Sequence, residues 1–250
     1  MRLDILLVER QLANSRTHAK KLIEAGRVWL DNGAGWQLAQ KPGQSVTQDQ
    51  PLRVEPLPED RYVSRAGLKL EAILDHTGLQ PEGWRALDVG CSTGGFSDCL
   101  LQRGASLVVG VDVGHDQLAP ELREHPRMQL FEGLNARYLA PTQLIPYSEE
   151  GFDAVVMDVS FISQTLILPR LPALMRPGAQ LLSLVKPQFE VGPENIGKGG
   201  LVRDTKLYRQ VQEKIEALCG ELGLSVRAYI DSPILGGDGN REFLLWAQKT

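Results

Sequence analysis

Lys186 closes an apolar run that begins at Gln180-Leu-Leu and is followed at once by Pro187, and Asp158 closes a second run that begins at Phe152. Charged groups that end buried strands face the crevice in which α/β sheets hold ligands, so these two read as a proton-handling pair and not as solvated termini. A lysine serves as a base once burial or a second cation lowers its pKa from about 10.4. A third run ends in Asp88-Val-Gly-Cys-Ser-Thr-Gly-Gly95, whose glycines at 90, 94 and 95 let the backbone approach a ligand at a helix N-terminus. The spacing is GxxxGG, not the GxGxxG that cradles a dinucleotide pyrophosphate, which argues against a nicotinamide cofactor. Asp112 lies 22 residues beyond Gly90 at the end of Leu107-Val-Val-Gly-Val, where a carboxylate accepts hydrogen bonds from both ribose hydroxyls of an adenosine. Lys69 and Glu242 are also titratable, but each read singly is a surface charge.

The elements that must position these groups follow from periodicity. Runs near 86–90, 107–112, 152–158 and 180–186 alternate with amphipathic stretches, the pattern of buried parallel strands joined by helices. Ser225–Ile230 and Glu242–Ala247 read as two closing strands about a glycine-rich turn. The expected fold is α/β, a doubly wound sheet with an antiparallel strand at its end. Upstream, Ile5, Leu6 and Val8 suggest one short helix, and Ser15 is an N-cap for a second that Gly26 terminates. Ala19, Leu22 and Ile23 face inward while Arg16, Lys20 and Lys21 stay in water. Short strands around Asn32-Gly33 and Pro42-Gly43 close a small α+β module near residue 58. Pro56 and Pro58 make the following segment a short, stiff linker.

Composition limits the classes available. Of 250 residues, 42% are hydrophobic and 23% charged, enough for a true core and too ordered in character for a disordered or fibrous chain. Residues 1–70 carry 11 Lys and Arg against 8 Asp and Glu, whereas residues 71–250 carry 16 against 23, a basic segment on an acidic body that suits polyanion docking. Cys91, Cys99 and Cys219 are odd in number and lack CxxC spacing, so neither a disulfide framework nor a metal site is expected, and a reducing cytoplasm fits. MRLDILLVER interleaves charges with its apolar residues, unlike a secretory signal, and no run of about 18 apolar residues occurs, so no membrane association is expected. The Gly192–Gly200 stretch reads as a mobile loop, and the aromatic residues are too sparse to suggest a base-stacking platform.

Ser15-Arg16, Ala19, Leu22-Ile23, Gly26-Arg27-Val28, Asn32-Gly33 and Lys41-Pro-Gly43 resemble the alpha-L RNA-binding domain named after a small-subunit ribosomal protein. That resemblance covers about 55 residues and makes Arg16, Lys20, Lys21 and Arg27 candidate phosphate contacts. The DVGCSTGGF turn, the VDV strand end and the MDVS strand end look like the Rossmann-like fold of S-adenosylmethionine-dependent methyltransferases. In order and context, Lys69, Asp158, Lys186 and Glu242 match the Lys-Asp-Lys-Glu tetrad of ribose 2'-O-methyltransferases. Together with SRAGLKL, VKPQFE, GKGGLVRD and GNREF, these motifs make the whole chain resemble the TlyA (hemolysin A) type of ribosomal-RNA 2'-O-methyltransferase. Its members typically read SRGGxKL or SRGAxKL where this chain has Ser64-Arg65-Ala66-Gly67-Leu68-Lys69, a small change that leaves the lysine in place.

The resemblance implies an alpha-L domain over 1–58, a linker over 59–63 and an FtsJ-like methyltransferase domain over 64–250. It implies S-adenosylmethionine held by Asp88, Gly90, Ser92, Thr93, Gly94, Gly95, Phe96, Asp112 and Asp158, no metal, and RNA contacts that include Arg65. Methylation of a cytidine ribose in ribosomal RNA or a ribosomal subunit, by a cytoplasmic monomer, is the expected activity. A non-catalytic RNA-binding or ribosome-assembly factor is the alternative, and membrane lysis, suggested by the hemolysin label alone, is the weakest reading.

Overall fold

The computed structural model describes every residue from Met1 to Thr250 except Asn14 and Asp238, and the side chains of all of these but Pro58, Glu59 and Ile145. The chain divides into two compact units, Met1–Asp60 and Arg61–Thr250.

In the first unit, helices α1 (Leu3–Glu9) and α2 (Arg16–Glu24) accompany a sheet of β1 (Val28–Asp31), β2 (Trp36–Leu38) and β3 (Leu52–Val54) in the antiparallel order β2-β1-β3. The Ser15 hydroxyl accepts a hydrogen bond from the His18 backbone N–H at 3.1 Å and so starts α2. Gly26 takes the left-handed φ of 70° that ends it. Ala19, Leu22 and Ile23 are buried with Leu3, Leu6, Leu7, Val28 and Leu30, a core that belongs to this unit alone. Asp4 is buried in α1, with its carboxylate oxygens 2.9 Å from Arg2 and 3.2 Å from Arg16. The hydrogen bond from Arg2 above all, then that from Arg16, holds this carboxyl below the usual range despite burial.

The second unit is a seven-stranded sheet of β4 (Arg85–Val89), β5 (Leu107–Val111), β6 (Met128–Phe131), β7 (Phe152–Met157), β8 (Met175–Val185), β9 (Leu224–Asp231) and β10 (Phe243–Lys249), in the order β6-β5-β4-β7-β8-β10-β9. The first five strands are parallel, and β10 runs antiparallel to both β8 and β9. Its helices are α3 (Ala66–Thr77), α4 (Gly95–Gln102), α5 (Pro120–Arg123) and α6 (Lys206–Glu221). Alternate strand residues feed two cores. Leu87, Val89 and Val155 pack with Val211 and Ile215 of α6, whereas Ala86, Val108 and Val156 pack with Leu70 and Ile73 of α3 and Leu100 of α4. Burial on both faces explains why these strands read as unbroken apolar runs.

Three features depart from expectation. β6 has four residues, all half-buried at the sheet edge, too short and too mixed to stand out in the sequence. β8 begins at Met175, five residues before its apolar stretch, and carries Pro177 and Gly178 through a break in its register with β7. The Gly192–Gly200 stretch, expected to be a loop without regular structure of its own, carries a series of hydrogen-bonded turns. Gly197 N donates to Leu201 O at 2.7 Å, and buried Asn240 donates through Nδ2 to Gly200 O at 2.9 Å and accepts from Val202 N at 3.3 Å. The three cysteines are free and buried, and burial pushes the Cys219 thiol up to about 11 and Cys99 to about 12.

Candidate active site

Strand register decides which ionic groups meet. The last β7–β8 pair is Met157 opposite Ser183, and Val185 of β8 lies opposite Phe243 of β10. Asp158, Lys186 and Glu242 are therefore the residues next beyond three adjacent strands at one end of the sheet. Asp158 Oδ1 lies 2.6 Å from Lys186 Nζ, which also donates to Ser160 Oγ at 2.8 Å. Lys69, carried on α3, donates to Glu242 Oε2 at 2.6 Å, and both are buried. The four residues thus form two ion pairs, one buried and one at the wall of a cavity. A buried lysine on α3 and a buried glutamate 173 residues away are tolerable only as such a pair.

A cavity of about 200 Å³ is lined by Asp88, Gly90, Ser92, Thr93, Gly95 and Phe96 of the glycine turn and by Asp158 and Lys186. A neighbouring cleft of about 550 Å³ shares Gly90, Ser92 and Asp158 and adds Asp112. Leu134, Ala136, Ile162 and Ile167 give that cleft an apolar wall. Asp112 is fixed by Ser92 N on one carboxylate oxygen at 2.8 Å and Gly114 N on the other at 2.7 Å. Each oxygen keeps a further lone pair for a ligand. Asp88 is wholly buried. One of its oxygens accepts from Ser97 Oγ at 2.6 Å, and the other has no partner among the described residues. Burial, with the charges of Asp158 and Asp112 adding to it, pushes the Asp88 carboxyl up to about 7, against the opposing Ser97 bond.

The glycines of the turn serve the protein before any ligand. A Cβ on Gly90, whose φ is 79°, would stand 2.7 Å from the Asp158 carbonyl, and one on Gly94 would strike Leu122 and Leu118. The turn thus lies close to its own neighbours as well; Gly90 and Gly95 line the smaller cavity, and Gly94 is absent from the linings of both.

The candidate RNA contacts separate into two groups. Arg16, Lys20 and Lys21 are exposed on α2, although Arg16 also braces Asp4 and Lys20 lies 3.6 Å from Glu24. Arg65 is exposed at the start of α3. Arg27 is not available. Its side chain is 11% exposed, bound to Asp60 and donating to the Glu55 carbonyl from Nε at 3.0 Å and Nη2 at 2.8 Å, so it clasps β3 and the turn at 58–61 within its own unit. A guanidinium with its donors so engaged would have to surrender them to reach a phosphate.

Several lining residues carried no signal of their own in the sequence. Ser64 and Ser160 line the smaller cavity. Phe161 is 92% exposed at the mouth of the larger one, in a left-handed conformation of φ 62° and 5.2 Å from the Phe189 ring. Sparse aromatic residues gave no pattern that marked it. The adjoining MDVS motif was the available pointer.

The strand order, the glycine turn after β4 and the acid after β5 make the second unit a Rossmann-like methyltransferase. A family model described as FtsJ-like methyltransferase matches residues 62–249, and an S4 domain model matches residues 1–34. The chain belongs to the FtsJ-like methyltransferase family and, over nearly its full length, to the TlyA (hemolysin A) type within it. It is 45% identical to a candidate rRNA methyltransferase, YqxC, of Bacillus subtilis, across 98% of this chain and 84% of that one. It is 41% identical to the 16S/23S rRNA (cytidine-2'-O)-methyltransferase TlyA of Mycobacterium tuberculosis, across 98% and 88%. A solved structure of a candidate hemolysin from Streptococcus thermophilus matches with a TM-score of 0.74 at 41% identity, covering all of this chain and 88% of that one.

Proposed function

We propose that the protein transfers a methyl group from S-adenosylmethionine to the ribose 2'-hydroxyl of a cytidine in ribosomal RNA, with the first unit gripping RNA and the second performing the chemistry. The observation that carries this reading is the Lys186–Asp158 pair at 2.6 Å, lining the same cavity as the glycine turn. The cytidine-2'-O-methyltransferase activity by which the Mycobacterium tuberculosis relative is named agrees with it.

The residues present fit the cofactor. The unpartnered oxygen of Asp88 suits a buried ammonium such as that of the methionyl end, the spare lone pairs of Asp112 suit a ribose, and the apolar wall of the larger cleft suits an adenine. When bound, S-adenosylmethionine supplies a methyl group on a sulfonium, a leaving group that needs no electrophilic help. The acceptor is the weak partner, since a ribose hydroxyl is a poor nucleophile at neutral pH. Lys186 Nζ, an ammonium in its ion pair with Asp158, first releases a proton to solvent, and the neutral amine then takes the 2'-hydroxyl proton. Asp158 and Ser160 hold that nitrogen in place, so the ammonium that forms meets a carboxylate already in position. The buried Lys69–Glu242 pair, absent from the linings of both cavities, completes the proposed tetrad. Phe161 offers the target base an exposed ring at the cleft mouth.

Incubation with bacterial ribosomal RNA, free and in subunits, and methyl-labelled cofactor is expected to yield 2'-O-methylcytidine after nuclease digestion. Label in no ribose, with every form of rRNA offered, would refute the activity.

The state of Asp88 makes cofactor affinity depend on pH. Only the ionised carboxylate attracts an ammonium, and its pKa of about 7 means that protons compete with the ligand below neutrality. The α-amino group stays protonated below its usual 7.7–8.0, so affinity rises with pH across this window, by roughly tenfold from pH 5.5 to 7. Isothermal titration across that range checks it. Asp88→Asn is expected to bind more weakly and with a flat profile, and a flat profile in the parent protein would exclude the assignment.

A further inference from the structure

Beneath the Lys186–Asp158 pair lies a buried polar knot that the proposed chemistry does not use. β7 ends its pairing with β8 at Met157, opposite Ser183. The chain then runs through Asp158 and Ser160, reverses at Phe161 with its left-handed φ of 62°, and returns as Ser163 and Gln164. Gln164 is 2% exposed and fully engaged. Its Nε2 donates to Leu184 O at 2.6 Å, its Oε1 accepts from Ser183 Oγ at 2.8 Å, and its backbone N–H donates to Glu190 Oε1 at 2.7 Å. The other Glu190 oxygen accepts from Ser163 Oγ at 2.5 Å and from Lys214 Nζ at 3.3 Å.

We infer that Gln164 is a positioning residue that holds Lys186 against Asp158 and Ser160; the inference rests on the reading of Lys186 as the proton acceptor. Leu184 is one residue beyond the last β8 position paired with β7, and its carbonyl accepts from the carboxamide. One side chain therefore ties the segment carrying Asp158 and Ser160 to the strand end two residues before Lys186, and its own backbone ties it to Glu190 four residues after. A buried amide is costly unless all its groups are paired, and an apolar side chain would fill the same space. What the paired amide adds is a fixed register between the two segments, because each bond has a required direction. The Phe161 reversal lies between Ser160 and this anchor, and a strained residue persists only where its surroundings hold it.

The test uses the full-length protein. Gln164→Leu keeps the volume and removes the side-chain donor and acceptor. Single-turnover methyl transfer to ribosomal RNA is expected to fall about thirtyfold, while the rRNA KM and the cofactor Kd stay within about twofold. Ser183→Ala, which removes one bond of the knot, is expected to lose about three- to fivefold of the rate with the same split. Gln164→Leu in a Lys186→Ala background is expected to cost nothing further, because its effect acts through Lys186. An unchanged rate for Gln164→Leu, or a loss of rate matched by an equal loss of cofactor affinity, would overturn the positioning role while leaving Lys186 in place. Should Gln164→Leu fail to fold, an unchanged rate in Ser183→Ala overturns it. Full activity of Lys186→Ala would instead defeat the reading on which it rests.

Discussion

Lys186→Ala is expected to lower the rate of methyl transfer by about 10³-fold or more while S-adenosylmethionine affinity changes by less than about threefold. The size of the loss follows from two roles meeting in one nitrogen. In the proposed mechanism the neutral Nζ accepts the hydroxyl proton, and the ammonium so restored pairs with Asp158, 2.6 Å away in the structure. Removing it leaves a poor nucleophile without a base and Asp158 without its counter-charge. The small change in affinity follows from the proposed division of labour in the cleft, which assigns the binding to Asp88, Asp112 and the apolar wall and leaves them untouched by the substitution. Lys186 lines the smaller cavity and is absent from the larger. Stopped-flow or quench measurement of the single-turnover rate, beside equilibrium binding of the cofactor, separates the two quantities. A variant that keeps more than about a tenth of the parent rate would remove Lys186 from the chemistry.

Removal of residues 1–60 is expected to reduce kcat/KM for ribosomal RNA by about two orders of magnitude and to leave cofactor affinity unaltered. The boundary suits the experiment, because each unit has its own buried core and the division falls between Asp60 and Arg61. The deleted unit carries Arg16, Lys20 and Lys21 exposed on α2, whereas Arg27 is already engaged by Asp60 and Glu55. Three phosphate contacts contribute roughly 2 to 3 to the slope of log affinity against log salt. The truncated protein is therefore expected to show a salt dependence shallower by that amount, read from binding to an rRNA fragment between 50 and 200 mM salt. Arg27→Ala in the full chain is expected to cost stability and not to change this slope, which distinguishes a structural arginine from a docking one. Equal kcat/KM with and without residues 1–60 would remove the RNA-gripping role from the first unit.

The features readable from the residues alone are local or periodic. Ser15 and Gly26 set the limits of α2 because a cap and a left-handed stop are decided by one or two residues. The apolar runs of β4, β5, β7 and the end of β8 declared a doubly covered sheet because burial on both faces leaves no alternation. Asp112, Asp158 and Lys186 were legible for the same reason, each standing just beyond such a run, and Asp88 as a charge inside one. Tertiary structure decided everything that depends on which segments meet. β6 is too short to carry a pattern, and only its place beside β5 makes it a strand. Arg16 and Arg27 look alike in the sequence, yet a carbonyl and a carboxylate brought from residues 55 and 60 take one of them out of solvent. Lys69 and Glu242 read singly as surface charges, and only the antiparallel register of β10 against β8, with α3 packed near it, brings them within 2.6 Å. The knot around Gln164 had no signal at all, since a hydrogen bond between a loop amide and a strand carbonyl leaves no periodicity and no charge pattern behind.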